Sequence, residues 1–157
     1  MDPNDFPGGV ARMLYEIEQI KQLKARYFRF LDTRNWAEFE QLFTADCRHL
    51  GYEGDESSVI VGWEGYRRML TAGVDPGRSV HHGHMPEITI DSPTEARGIW
   101  AMFDFVEQHG DHPRSFIGYG HYHETYRKEE GGWRISSKRL VRLRVDDTGA
   151  FATPGGG

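Results

Sequence analysis

Three histidines fall within four residues, His81, His82 and His84, in the stretch SVHHGHMPEITID over residues 79–91. Imidazole is the side chain whose ordinary pKa lets it both take and give a proton near neutrality, so this cluster is a candidate proton-transfer or metal site. Two more, His121 and His123, stand two apart in GYGHYHETY. A zinc or iron site needs three or four nitrogen or oxygen ligands converging on one point. His82, His84, His121, His123 and Glu87 supply the residue types, but neither His-Glu-x-x-His nor His-x-x-Glu-His occurs in the chain. Cys47 is the only cysteine, which excludes an intramolecular disulfide and a thiolate cage. No phosphate or nucleotide motif is present either. These residues point to proton chemistry with no metal and no cofactor, and to pocket-mouth or subunit-contact positions for the histidines that do not react.

The elements that must position these residues are readable from periodicity. Leu14, Ile17, Ile20, Leu23, Tyr27 and Phe30/Leu31 recur at three- and four-residue spacing, which predicts a helix over residues 11–31. Glu16, Glu18, Lys21, Lys24, Arg26 and Arg29 lie between them and read as its charged outer face. Asn35 followed by Glu38 reads as a capping box for a short second helix through Phe43. Residues 46–51 and 57–61 read as two short strands joined across a polar turn, and 62–72 as a third helix. Four longer strands follow, over about 79–91, 95–108, 114–128 and 133–145. Helices early and successive strands late predict an α+β fold, an antiparallel sheet wrapped over helices. The strand 95–108 is apolar on both faces, so one face covers the helices and the other calls for a second cover such as a subunit partner.

Length and composition bound the function. At 157 residues the chain is expected to form one domain over residues 11–146, with a flexible arm at 1–10 and a Gly-rich flexible tail at 147–157. A net charge of −5 with mixed signs argues against a nucleic-acid partner. No apolar run approaches the roughly 18 residues that would argue for a membrane span, and the first ten residues lack a secretory pattern. A cytoplasmic location is the expectation. Aromatic residues make up 13 % of the chain, which suits an aromatic-lined pocket for a small molecule.

Taken in order, YEIEQIKQLKARYFRFLD, NWAEFEQLF, VHHGHMPEITID and GYGHYHETYRKEEGGWRI resemble the SnoaL-like branch of the nuclear-transport-factor-2-like superfamily, the bile-acid 7α-dehydratases most of all. The likeness covers residues 16–146. It implies a cone-shaped α+β barrel, a curved mixed or antiparallel sheet wrapped around a long N-terminal helix and two shorter helices, enclosing one pocket. Homotrimers are usual among such dehydratases. Carried over by position, the catalytic pair is Asp32, in RFLD, and His81, with Tyr27 as a pocket tyrosine. Arg142 corresponds to a substrate-contacting arginine, Asp104 to an acidic position and Tyr52 to a second pocket tyrosine, and all three are candidate substrate-binding residues.

The physics of these positions is mixed. A carboxylate at a helix C-terminus meets the negative end of the dipole and is better tolerated beside a cationic partner. A histidine that becomes imidazolium during turnover supplies one. On an ideal helix Tyr27 and Asp32 point about 140° apart, so sharing a pocket requires the helix to unwind or the pocket to wrap its end. Asp104 lies on the apolar face of Trp100, Met102 and Val106 and needs a partner there. Strict alternation along Trp133, Ile135, Ser137, Arg139, Val141 and Leu143 makes Arg139 the inward arginine, unless a bulge turns Arg142 inward instead. The function implied is a cofactor-independent dehydratase acting on an apolar, carbonyl-bearing ring, steroid- or polyketide-like. An isomerase or aldol cyclase using the same pair, and a non-catalytic binding or assembly subunit of the same fold, are the alternatives.

Overall fold

A computed structural model describes residues 2–51, 58–73, 77–109 and 113–149. Three helices pack against one six-stranded sheet. The helices are α1 (Gly9–Asp32), α2 (Trp36–Glu40) and α3 (Gly62–Gly73). The strands are β1 (Phe43–Leu50), β2 (Val59–Val61), β3 (Arg78–Ser92), β4 (Glu95–Gln108), β5 (Arg114–Glu129) and β6 (Gly132–Gly149). Their order across the sheet is β2-β1-β6-β5-β4-β3. Only β1 and β6 run parallel. The α+β class and mixed sheet expected from sequence are therefore present, but the sheet is open: among the described residues β2 and β3 are its two edges. In this cone the sheet does not close, and α1 packs on β3 and α3 on β1. Residues 150–157 of the expected tail lie outside the described residues, as does most of the turn between β1 and β2.

The α1 stripe buries Met13, Glu16, Ile20, Leu23, Lys24, Tyr27, Phe30 and Leu31. Two of these correct the expected outer face. Glu16 and Lys24 fall on the seam at helical spacing, where a charge survives only if paired. Lys24 Nζ donates to Glu124 of β5 at 2.5 Å, with both side chains fully buried. Glu16 accepts from Lys128 Nζ at 2.6 Å and from the Trp133 indole at 2.7 Å. Burial by itself would raise the Glu16 pKa, but those two hydrogen bonds and the charges of Lys128 and Arg12 hold it below the usual value. Leu14, expected on the stripe, is exposed instead. At the other end of the described chain, Phe6 reaches into the core ahead of α1.

The α1–α2 junction differs from a capping box. Asn35 precedes α2, but its side chain makes no capping bond. Its backbone N–H is already given to the Phe30 carbonyl at 2.9 Å, closing α1, so nothing is left for Glu38 to reach back to. Arg34 stands at this junction with φ 57°, in the left-handed region that non-glycine residues occupy at a cost of about 1–2 kcal/mol. Its guanidinium offsets that cost. It donates to the Leu31 and Asp32 carbonyls at 3.0 and 3.1 Å, to the Gly77 carbonyl at 2.7 Å and to Ser79 Oγ at 2.8 Å. One side chain thus caps the helix and ties its end to the start of β3.

The decisive irregularity is in β6. Thr125 pairs with Ser137 and Tyr126 with Ile135, so Ser136 has no counterpart on β5. Ser136 and Ser137 both hydrogen-bond to Thr125 Oγ1, at 2.8 and 2.7 Å, which pins the bulge. Trp133 and Ile135 are buried before it. Beyond it the inward parity flips to Lys138, Leu140 and Arg142.

Candidate active site

Between the sheet and the helices lies a cavity of about 230 Å³. Tyr27 and Leu31 of α1, His49 of β1, Tyr66 of α3, His81 of β3, Asp104 of β4, Tyr122 of β5 and Lys138, Leu140 and Arg142 of β6 all line it. His81 faces it because His81, Asp104 and Gly118 occupy one row across β3, β4 and β5 on the inward parity.

Asp32 lies behind His81. His81 Nδ1 and Asp32 Oδ1 are 2.6 Å apart, and the His81 backbone N–H donates to Oδ2 at 2.8 Å. Ser79 Oγ–H donates to Oδ1 at 3.0 Å, and Arg34 in turn donates to Ser79. A carboxylate only accepts, so the proton of neutral His81 sits on Nδ1 and the Nε2 lone pair is left toward the cavity. This arrangement resolves the angular conflict between Tyr27 and Asp32. The helix stays wound through Asp32, and Asp32 is not itself a lining residue. Only His81 has to enter the cavity. The dipole problem is met by Arg34, whose charge sits on the last carbonyls of α1.

On the far side of the imidazole, His81 Nε2 is 4.0 Å from Asp104 Oδ2, too long for a hydrogen bond. Asp104 is 1 % exposed and is gripped by Arg142 through two bonds, of 3.0 and 2.7 Å. Arg142 is therefore the inward arginine. Arg139 pairs across to His123 and lines a separate, larger groove on the opposite face, with Glu87, Arg97 and Ile99. Its assignment to the cavity is corrected; the Ser136 bulge is the reason. Tyr52 lies outside the described residues.

Gly118 makes the Asp104–Arg142 pair possible. A Cβ there would lie 1.7 Å from Arg142 Nη1 and 2.2 Å from Asp104 Oδ1. Gly118→Ala should displace the guanidinium and leave a buried carboxylate unpaired, lowering stability by about 2–4 kcal/mol in urea denaturation. An unchanged midpoint would show that the pair can re-form around a methyl group.

The deep end of the cavity holds a polar group that sequence reasoning missed. Lys138 Nζ donates to the Tyr27 hydroxyl at 2.7 Å, and the Tyr27 and Tyr66 hydroxyls are 3.3 Å apart. Burial, with the Lys24 charge second, brings the Lys138 amine down to about 7. Burial likewise raises the Tyr27 and Tyr122 hydroxyls well above their usual value. His49 stacks on Tyr66 at 3.6 Å between centroids, and burial followed by the Lys138 charge lowers it to about 2. It is a neutral ring, and neither of its nitrogens has a hydrogen-bond partner among the described residues. The signal for Lys138 was the Ser136-Ser137 doublet, whose bulge sets the parity beyond it.

The other four candidate histidines, His82, His84, His121 and His123, lie elsewhere. His82 is on the opposite face of β3, 6.0 Å from both the His84 ring and the Phe103 ring. His121 and His123, 6.5 Å apart, occupy the same outer face of β5. Among the described residues no three His, Cys, Asp or Glu side chains are placed to hold one metal ion.

A family model described as the SnoaL-like domain matches residues 12–139. The chain belongs to the SnoaL-like family. Its relatives include a Gibberella zeae protein named "Probable cyclase FGR4", 27 % identical over 136 residues, which covers 79 % of this chain and 89 % of that one. Among solved structures, a scytalone-dehydratase-like protein of Novosphingobium aromaticivorans superposes with a TM-score of 0.76 at 22 % identity, covering 94 % of this chain and 99 % of the other. Hexachlorocyclohexane dehydrochlorinase LinA-type3 of Novosphingobium barchaimii gives 0.75 at 18 %, covering 90 % and 97 %. The SnoaL-like fold seen here is thus shared with proteins named for elimination and for cyclisation. Among the described residues no helix is long and apolar enough to cross a membrane.

Proposed function

We propose that this SnoaL-like protein is a cofactor-independent lyase of the dehydratase type, acting on an apolar ring substrate that bears a carbonyl. The observation that carries the reading is the 2.6 Å contact between Asp32 and a cavity-facing His81. His81 Nε2 takes the acidic proton beside the carbonyl. The C–H electron pair becomes the new double bond as the β-hydroxyl leaves, and the imidazolium returns a proton so that water departs. Asp32 holds the tautomer and stabilises the charged ring. Tyr27 meets the substrate as a hydroxyl donor, and the Asp104–Arg142 pair forms a fixed polar wall beside it. A binding-only role gives the half-buried Asp32, bonded to a cavity-facing His81, no chemical task.

Isomerisation and aldol cyclisation begin with the same proton removal, and the cyclase name of the Gibberella zeae relative favours keeping them as the second reading. The shared first step can be tested without the natural substrate. In D₂O the protein should exchange the α-protons of 2-tetralone, followed by NMR, and His81→Ala should not exceed the protein-free rate. Equal exchange by wild type and His81→Ala would remove His81 as the base.

The outer face of β4 bears on assembly, because its apolar Ile99, Ala101, Phe103 and Phe105 are only half-buried in the single chain. A homotrimer would cover them. Light scattering should give three times the 18.1 kDa chain mass at micromolar concentration, and a monomer mass would refute it.

A further inference from the structure

We propose that Lys138, acting with the Tyr27 hydroxyl, forms an anion-binding end to the cavity that takes the oxygen of an enolate or phenolate. The inference rests on the proton-abstraction reading for its physiological occupant, but the site can be probed without it. Four observations converge on this end. Arg142, the other long cation lining the cavity, is committed to Asp104 by two bonds, whereas the hydrogen-bond partner of Lys138 is a neutral hydroxyl. Glu124, whose charge reaches Lys138, is already bonded by Lys24 at 2.5 Å and Tyr126 at 2.6 Å. Among the described residues, Lys138 therefore brings a positive charge, when protonated, that no dedicated carboxylate answers.

The second observation is the direction of the hydroxyl. With Lys138 donating to its oxygen, Tyr27 retains its own proton to give, either to Tyr66 or to an oxygen in the cavity. The third is the wall. The Tyr27, Tyr66 and Tyr122 rings surround the amine, with centroids 5.1, 4.6 and 5.6 Å from Nζ, so a flat aromatic or enolised ring would meet matching faces. The fourth is chemical fit. Removal of a proton beside a carbonyl at His81 sends negative charge to the carbonyl oxygen, and a preplaced donor in a dry site stabilises charge as it develops.

The amine is held near neutrality by burial and by Lys24, with Glu124 and Cys47 opposing. Of the described titratable groups beside it, burial pushes the Tyr27 and Tyr122 hydroxyls up and His49 down, so these three neighbours add no charge. An arriving acidic hydroxyl can then pass its proton to the Lys138 amine. The O–H bond breaks, the N–H bond forms, and an ammonium–oxyanion pair remains.

The test is the ionisation of bound 2-naphthol at pH 7, read from its absorbance difference spectrum. In wild-type protein the ratio of naphtholate to naphthol should exceed that in Lys138→Met by about tenfold, since an adjacent cation favours the charged form against desolvation. Lys138→Arg, which keeps a cation, should restore part of the ratio. The exchange of 2-tetralone protons reads His81 and the ionisation of 2-naphthol reads Lys138, so failure of the general-base reading and failure of this one are separable. Far-UV circular dichroism on each variant checks folding, and Lys138→Gln takes the place of Lys138→Met if the latter does not fold. No binding of 2-naphthol to wild type, or an equal ionised fraction with and without the Lys138 cation, would overturn the proposal.

Discussion

His81→Ala should reduce kcat by about 10²–10⁴-fold while the protein remains folded, the range that a positioned general base supplies. The imidazole contributes modest apolar burial, so its loss should barely move the thermal midpoint. Asp32→Asn retains the shape of the carboxylate but presents a donor and an acceptor where only acceptors stood. It should disturb the His81 tautomer and remove the charge that stabilises imidazolium, with a loss of similar order. Because the two residues act through one hydrogen bond, the double variant should be little worse than the worse single. His82→Ala is the control, since that ring points to the other face of β3 and should cost far less. An additive double variant, or an essential His82, would separate the observed contact from the chemistry.

The second large effect concerns stability. Lys24→Met should cost about 3–5 kcal/mol, because it leaves Glu124 charged and fully buried without its cation. That is a sizeable part of the roughly 5–15 kcal/mol that holds a domain together. The chain of bonds is explicit: Lys24 to Glu124, Tyr126 hydroxyl to Glu124, and the Trp100 indole to the Tyr126 oxygen at 2.7 Å. Adding Glu124→Gln to the Lys24→Met background should recover most of the loss, since the amide oxygen still accepts from Tyr126 and no charge is buried. Urea denaturation with a shared m-value provides the comparison. If the single and double variants are equally stable, the buried pair is not what orders this part of the core.

The elements themselves were legible because their period is local. The α1 stripe from Ile20 to Leu31, the third helix and the four long strands follow from spacing that each segment carries within itself. Charge on the α1 seam was misread for a related reason. Hydropathy marks Glu16 and Lys24 as outer residues, while their partners, Lys128 and Trp133 for one and Glu124 for the other, come from strands about a hundred residues later.

The site divides along the same line. The likeness of RFLD and VHHGH to a SnoaL-like pattern was enough to pair Asp32 with His81, but not to say how two positions 140° apart on one helix could serve one cavity. Only the packing of α1 on β3 placed Asp32 behind the imidazole, with Arg34 and Ser79 holding it. Between Trp133 and Arg142, parity along β6 failed at one residue. A single unpaired Ser136 turned Arg139 out and brought Lys138 and Arg142 in, because side chains in a strand alternate and one extra residue reverses every one beyond it. By itself, then, the sequence determined which segments form elements and which residue types could move a proton. Tertiary structure decided which of those residues share a cavity, because that depends on registers and pairings between strands that no local pattern encodes.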